Sequence, residues 1–144
     1  ALLMTGCLSP GESPYVKLDF SSPTVVSIVP AMGGDAGVPI LSPSQFIVIT
    51  FSEPMDLGSL RPGIVIRNKD RREQPLTIQV EPDQIRPVGS GLMDDEADFS
   101  VNISAAEASG FTTGGYQLIL RTLLIDQQGN SLNSEFLGAF YVQF

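Results

Sequence analysis

The acidic residues are the first groups in this chain whose spacing suggests chemistry. Four carboxylates fall within a stretch of five residues: Asp94, Asp95, Glu96 and Asp98. Carboxylate oxygens at this density are the ligands that Ca²⁺ prefers, but the spacing and the glycine of an EF-hand loop are missing. A solvated acidic turn is therefore the favoured interpretation, and a cation site is the alternative. A second, weaker candidate for a cation site comprises Glu53, Asp56 and Asp126, provided that their loops meet at one end of the domain.

A basic segment forms the other cluster of charge. Residues 67–72 hold four of the eight basic residues, namely Arg67, Lys69, Arg71 and Arg72. An exposed basic loop on an acidic domain has a field opposite in sign to its surroundings, so it can bind an anionic partner or lipid headgroups. Asp70 interrupts the run. We favour a solvated loop tip between two strands, with a partner-binding site as the alternative.

The overall composition argues against several classes of function. The 144 residues carry a net charge of −8, whereas a nucleic-acid binder needs a continuous basic footprint. The chain contains no His, so Ser-His-Asp and Cys-His arrangements and the commonest zinc ligand are absent. No phosphate-binding, dinucleotide-binding or G-x-S-x-G motif occurs. We therefore predict one non-enzymatic domain that has no cofactor, no small-molecule substrate and no nucleic-acid partner.

The start of the chain carries its single cysteine after a short apolar stretch. One Cys cannot form an internal disulfide, so Cys7 needs its own explanation. Met4, Thr5, Gly6 and Cys7 resemble a bacterial lipobox, in which an apolar residue and two small residues precede an invariant Cys, although Met4 replaces the usual Leu. The resemblance implies a covalent lipid on Cys7, with residues 1–6 as the remnant of a lipoprotein signal peptide. The alternative is an ordinary buried Cys.

Residues 7–23 are predicted to connect the lipid to the folded domain. They are rich in Ser, Pro and Gly, and proline keeps such a linker extended. The apolar stretch before Cys7 is too short to span a bilayer, so the lipid would tether the domain to the membrane surface. Leu8 stands where an acidic residue would retain an enteric lipoprotein at the inner membrane. By that resemblance, the expected location is the cell envelope, at the outer membrane.

Residues 24–144 show the period of two that is typical of half-buried strands. The alternation predicts about seven short strands, at 24–29, 46–51, 64–67, 76–81, 99–104, 116–121 and 140–144. Gly and Pro separate these segments, and only 55–60 and 105–109 are suited to a short helical turn. The pattern predicts an all-β fold in which two sheets pack face to face.

Several motifs in this region occur in a recognisable order. The segment 47–56 ends in Phe-Ser-Glu-Pro-Met-Asp, and the segment 126–132 reads D-x-x-G-N-x-L. Two further segments match strands of the same family: 23–31 matches its first strand, and 114–118 matches the entry to its sixth strand. Together they resemble the bacterial immunoglobulin-like domains of the SbsA type. Residues 67–96 depart from the sequence pattern of that family. The resemblance implies a single immunoglobulin-like β-sandwich, a fold that serves many functions.

Two of the motif residues have a structural interpretation that needs no ligand. Tyr116 is expected to form a tyrosine corner, with its ring in the core and its hydroxyl on upstream backbone. Asp56 is expected to cap the short turn after Pro54 by accepting backbone N–H bonds.

The function predicted from these features is non-catalytic protein–protein interaction by a lipid-anchored envelope protein that serves as an accessory or structural subunit. A small tethered domain has enough surface for one interface, so we expect an envelope protein as its partner. Val29, Val65 and Tyr141 are apolar or aromatic residues at apparently outward positions and are candidates for contact. The alternative is a surface adhesin or glycan-binding module stabilised by Ca²⁺.

Overall fold

The alternation of apolar and polar residues builds two sheets that pack face to face. The computed structural model describes residues 21–80 and 98–144. These residues form β1 Val25–Val29, β2 Ile40–Leu41, β3 Ile47–Phe51, α1 Leu57–Gly63, β4 Ile64–Asn68, β5 Leu76–Val80, β6 Phe99–Ala105, β7 Gly114–Leu120 and β8 Phe136–Val142. The predicted all-β sandwich is confirmed, with α1 as a short helical connection between its sheets.

The first sheet has the strand order β1-β3-β6-β5, and all its strands are antiparallel to their neighbours. The central strand β3 follows the predicted alternation: Ile47, Ile49 and Phe51 are buried, whereas Val48 and Thr50 are half-buried on the other face. β-branched residues suit such a pleated surface because their side chains pack well against neighbouring strands.

The second sheet has the order β2-β8-β7-β4. β4, β7 and β8 pair antiparallel, and β2 runs parallel to β8, with Ile40 opposite Tyr141 and Leu41 opposite Val142. A strand of two residues is too short to show an alternating pattern, so the sequence analysis missed β2. The described residues therefore contain eight strands, one more than predicted.

Side chains from both sheets fill the space between them. Phe51 and Phe99 of the first sheet and Phe140 of the second are fully buried. Each such side chain contributes roughly 1.5–3 kcal/mol when it leaves water. Tyr116 stacks on Phe140 with ring centroids 5.5 Å apart, so the aromatic cluster fixes β7 and β8 against the core.

The connection from β3 to β4 contains α1, which lies further along the chain than the turn expected at 55–60. Pro62 lies inside the helix, where it removes a backbone donor and favours an early end. The other segment expected to turn, 105–109, contains no helix, because Ala105 ends β6 and bends follow it.

The last strand differs from its predicted position. β8 begins at Phe136 and ends at Val142, which pairs with Gly114 at the start of β7. Because β7 begins at Gly114, it has no residue that could pair with the chain beyond Val142. The strand that was expected to continue to Phe144 therefore ends at Val142. Phe144 is 91% exposed.

Some sequence predictions concern residues outside the described ranges. These are Met4, Thr5, Gly6 and Cys7 of the lipobox, the linker as far as residue 20, and Asp94, Asp95 and Glu96 of the acidic cluster. The domain boundary at residue 24 also stays a prediction. In the two described ranges, no helix is long and apolar enough to cross a bilayer.

Candidate interaction surface

Two loops bring the second group of candidate metal ligands to one end of the sandwich. Met55 pairs with Asp126 in an isolated antiparallel bridge, and the Asp56 N–H donates to the carbonyl of Ile125 at 2.9 Å. The loops of Glu53, Asp56 and Asp126 therefore meet. However, no three or more His, Cys, Asp or Glu residues are placed to hold a metal ion anywhere in 21–80 or 98–144.

The Asp126 carboxylate is engaged within its own turn. Asp126 is 1% exposed, and its Oδ1 accepts hydrogen bonds from the backbone N–H groups of Gln128 at 2.9 Å and Asn130 at 2.8 Å. Its Oδ2 accepts from Nδ2 of Asn130 at 3.0 Å. Gly129 has a φ of 90°, a conformation that favours glycine. The D-x-x-G-N motif thus folds a turn rather than forming a ligand site.

Asp56 and Asp98 are placed differently from Asp126. Asp56 occupies the N-cap of α1 but makes no side-chain capping bond, so the predicted capping role is wrong. The local geometry is held instead by Ser59, whose Oγ donates to the Asp56 carbonyl at 2.8 Å. Asp98 is exposed immediately before Phe99 of β6.

Tyr116 forms the predicted tyrosine corner. Its hydroxyl donates to the carbonyl of Thr112, four residues upstream, at 2.8 Å. The ring is buried and lies 5.1 Å from that of Phe111 between centroids. Tyr116 therefore anchors β7 to the chain that enters it.

The predicted basic segment lies at the end of β4 and in the turn that follows. Arg67 is half-buried within β4, whereas Lys69, Arg71 and Arg72 are exposed in the turn. The turn folds back on β4, because Arg67 and Glu73 form an antiparallel bridge. Three cationic side chains are thereby presented together beside the second sheet.

The Asn68 side chain makes two hydrogen bonds to the backbone of this turn. Asn68 Oδ1 accepts hydrogen bonds from the N–H groups of Asp70 at 2.9 Å and Arg72 at 3.0 Å. Arg71 adopts a φ of 64°, a region uncommon for residues with a Cβ and costing about 1–3 kcal/mol. Asn68 therefore stabilises a turn in which Arg71 takes an unfavourable conformation.

The outer face of the second sheet is largely apolar. Cross-strand pairing places its outward residues in three rows: Val65, Ile119 and Leu137; Arg67, Gln117 and Ala139; Gly115, Tyr141 and Ile40. Ile40 is 67% exposed, Leu137 52% and Tyr141 40%. Single exposed apolar residues are normal on a protein surface, but several on one sheet face make that face a candidate interaction surface.

Val65 is the exception among the predicted contact residues. Val29 and Tyr141 are exposed as expected, but Val65 is buried although it lies on the outer face. It stands opposite Ile119, which is also buried. Its burial makes Val65 unavailable for contact.

The outer face of the first sheet has a different character. Apart from Val29 and Val48, its paired outward residues are small hydroxyl or amide side chains, including Ser27, Thr50, Ser100, Asn102, Thr77 and Ser104. Thr50 Oγ1 and Ser100 Oγ are hydrogen-bonded at 2.9 Å. The central strands of this face are therefore polar, and its exposed apolar residues are Val26 and Val29 of the edge strand β1.

A shallow groove runs along that apolar face, and we call it the sheet-face groove. It consists of two adjoining cavities of about 250 and 360 Å³, which share Val38, Gln117 and Ala139. Leu137 lines one end, and Tyr141, Lys69 and Arg71 line the other. The predicted basic residues Lys69 and Arg71 thus border the groove, while Arg67 and Arg72 do not line it.

Gly115 leaves the floor of the groove open beside Tyr141. A Cβ built on Gly115 would have no heavy atom within 4 Å apart from its chain neighbours. The sequence analysis interpreted the Gly114-Gly115 pair only as the entry to a strand. Its role beside Tyr141 depends on the register between β7 and β8, for which no sequence signal exists.

The fold defines a class of protein: a two-sheet, immunoglobulin-like β-sandwich. The family model described as "Bacterial Ig-like domain" matches residues 19–141, so the chain belongs to the bacterial immunoglobulin-like domain family.

Solved structures give more distant likenesses. The chain is similar to CopC from Methylosinus trichosporium OB3b, with 13% identity and a TM-score of 0.53, over 84% of this chain and 93% of that one. It is also similar to the S-layer protein rSbsC(31-844), with 15% identity and a TM-score of 0.45, over 83% of this chain and 13% of that one. The likeness to CopC shows the fold alone. The search of curated proteins gave no match.

Proposed function

We propose that this protein is a lipid-anchored component of the bacterial cell envelope and acts as a non-catalytic accessory or structural subunit. Its sandwich, of the SbsA type, binds an envelope protein through the outer face of the second sheet. The observation that best supports this proposal is the difference in polarity between the outer faces of the two sheets. Leu137, Ile40 and Tyr141 are exposed together on one face, while hydroxyl and amide groups dominate the other.

Lipid anchoring makes such a surface effective. Acyl chains on Cys7 would confine the domain to the membrane plane, and a tether raises the effective concentration of one tethered partner for another. A small interface therefore suffices for a stable assembly at the envelope. The outer membrane is the proposed location, because Leu8 follows Cys7.

Purification from native envelopes tests the proposed function. A tag placed after Phe144 allows solubilisation in detergent, followed by mass spectrometry and crosslinking of proteins that co-elute in stoichiometric amount. We expect one envelope protein, crosslinked to the outer face of β8 or β7. Leu137→Asp should abolish its recovery, because a charge on the apolar face opposes docking.

The matched control is Gln79→Asp, which adds the same charge to the outer face of the first sheet. Gln79 is exposed, so recovery of the partner should be unchanged. Recovery of the protein alone from native envelopes would contradict the proposed function. Binding to purified peptidoglycan or polysaccharide without a protein partner would favour the adhesin alternative.

A further inference from the structure

We propose that the sheet-face groove binds an extended acidic segment of the partner protein, with Lys69 and Arg71 pairing with its carboxylates beside Tyr141. This inference rests on the proposed function, because it names the chemistry of the partner for the same surface. Three features carry it: the shape of the groove, the sign of its charge and the conformation of Arg71.

The shape of the groove suits an extended chain. It follows β8 from Leu137 to Tyr141, a distance of about 13 Å at about 3.3 Å per strand residue. About four residues of an extended peptide span that length. The open position at Gly115 gives one of their side chains room to lie beside the Tyr141 ring.

The charge of the groove is opposite to that of the protein. Lys69 and Arg71 line it, and no Asp or Glu is among the described residues that line either cavity. The chain as a whole carries a net charge of −8. At physiological salt, charges further away than about 8 Å are largely screened. A short segment in the groove therefore responds to the two nearby cations more than to the net charge.

Arg71 combines an unfavourable backbone conformation with a position on the rim. Its φ of 64° is one that Gly or Asn adopts at lower cost. A residue held in such a region despite this cost is typical of a binding site. The guanidinium is suited to the role because its fork of donors matches a carboxylate in two parallel hydrogen bonds.

Other occupants fit these observations less well. A second folded copy of the chain would approach with a broad sandwich surface and not with an extended segment. A flat membrane also cannot enter a groove along a sheet face. The exposed aliphatic side chains of Val38 and Leu137 suit the mixed apolar and acidic side chains of a protein segment.

Peptide selection on the full 144-residue chain tests the inference. A display library of random peptides of about 12 residues is selected on the parent chain at about 0.15 M salt, and the selected peptides are then tested for binding to Gly115→Leu. A protein of this net charge attracts basic peptides at long range. We expect instead peptides enriched in Asp and Glu together with apolar residues. Enrichment in Lys and Arg, or peptides that bind Gly115→Leu equally well, would overturn the inference.

Two matched variants in the basic turn separate binding from folding. Arg71→Gly and Arg72→Gly each remove one positive charge, but only Arg71 lines the groove. We expect Arg71→Gly to bind selected peptides about tenfold more weakly, through loss of a charge-assisted hydrogen bond. Its thermal midpoint should be unchanged or raised, because glycine relieves the positive φ. Arg72→Gly should bind within about twofold of the parent chain.

Equal weakening by both glycine variants would mean that only the general charge of the turn matters, and would overturn the proposed pairing.

Vesicles of anionic phospholipid provide a further probe. Vesicle binding that depends on Arg71, without acidic peptides in the selection, would replace the proposed segment by a lipid headgroup. If Gly115→Leu still recovers the envelope partner, the groove inference fails while the proposed function stands. If native envelopes yield no partner, the proposed function itself fails.

Discussion

Met55 and Asp126 pair in an isolated antiparallel bridge, so the two most characteristic stretches of the sequence, 47–56 and 126–132, contact each other. The Asp126 turn is thereby fixed against the chain that follows β3. Both stretches belong to the frame of the sandwich at one end, while the sheet-face groove lies on its flank. The residues of these two stretches are therefore separate from those proposed to bind a partner.

Replacing Asp126 should destabilise the protein strongly. Asp126→Ala removes three acceptor contacts, to the backbone of Gln128 and to the backbone and side chain of Asn130. Hydrogen bonds to a buried carboxylate are stronger than neutral ones, so we expect a loss of about 3 kcal/mol in the free energy of unfolding. Urea denaturation followed by circular dichroism measures this change.

Asp56→Ala is the matched control for that substitution. The Asp56 side chain makes no capping bond and is exposed, so the free energy of unfolding should change by less than about 0.5 kcal/mol. Similar losses for both variants would mean that the net charge of this end, and not the Asp126 turn, stabilises the fold.

Tyr116→Phe should give a smaller and separable effect. The ring retains its stacking on Phe140, while the hydroxyl loses its bonds to the carbonyl and Oγ1 of Thr112. We expect a loss of about 1 kcal/mol in thermal or urea unfolding, the usual net value of a neutral hydrogen bond. Thr112→Val keeps the stronger bond to the carbonyl and should cost less. An unchanged stability in Tyr116→Phe would show that the corner contributes only through its ring.

Two glycines should respond in opposite ways to the same substitution. At Gly110, a Cβ would collide with the carbonyl group of Pro43, and φ is 83°. Gly110→Ala is therefore expected to destabilise the fold by about 3 kcal/mol. Gly115→Ala meets no heavy atom within 4 Å and should leave the stability unchanged or raise it by about 0.5 kcal/mol. Thermal unfolding of the pair compares them, and destabilisation by Gly115→Ala would mean that the groove floor is closed.

Much of the sandwich follows from local pattern. The inward faces of β3 and β6 are predicted by alternation, because a half-buried strand must place every second side chain in the core. Tyr116 could be assigned to a corner because segment 114–118 resembles the entry to a sixth strand, where such a corner is expected. β2 could not be predicted, since two residues beside Pro39 become a strand only through their pairing with β8.

The candidate surface could be predicted only in part. The basic residues of 67–72 stand out by composition, and Tyr141 by its phase in the strand. That Lys69 and Arg71 lie near Tyr141 depends on how β4, β7 and β8 align, and register is a tertiary property. Val65 shows the opposite error: its phase places it outward correctly, but its burial is a property of the tertiary structure that phase does not reveal.

Lipidation at Cys7 is the prediction that decides where the surface operates. In bacterial cells that mature lipoproteins, with the gene supplying a complete signal peptide, the protein should incorporate labelled palmitate and sediment with membranes. Cys7→Ser removes the thiol that accepts the lipid, and so should abolish the palmitate label. Because lipid transfer precedes cleavage, this variant should also keep its signal peptide and migrate as a larger precursor.

Ser9→Ala, two residues beyond the lipobox, is the control and should retain both the label and the membrane association. Gly6→Leu should block signal-peptide cleavage and leave a larger, membrane-bound precursor, because the peptidase requires small residues before the Cys. Palmitate incorporation by Cys7→Ser would show that the lipobox interpretation is wrong. In that event the interaction surface would have to act without confinement to a membrane, and a larger or tighter interface than the sheet-face groove would be needed for a stable assembly.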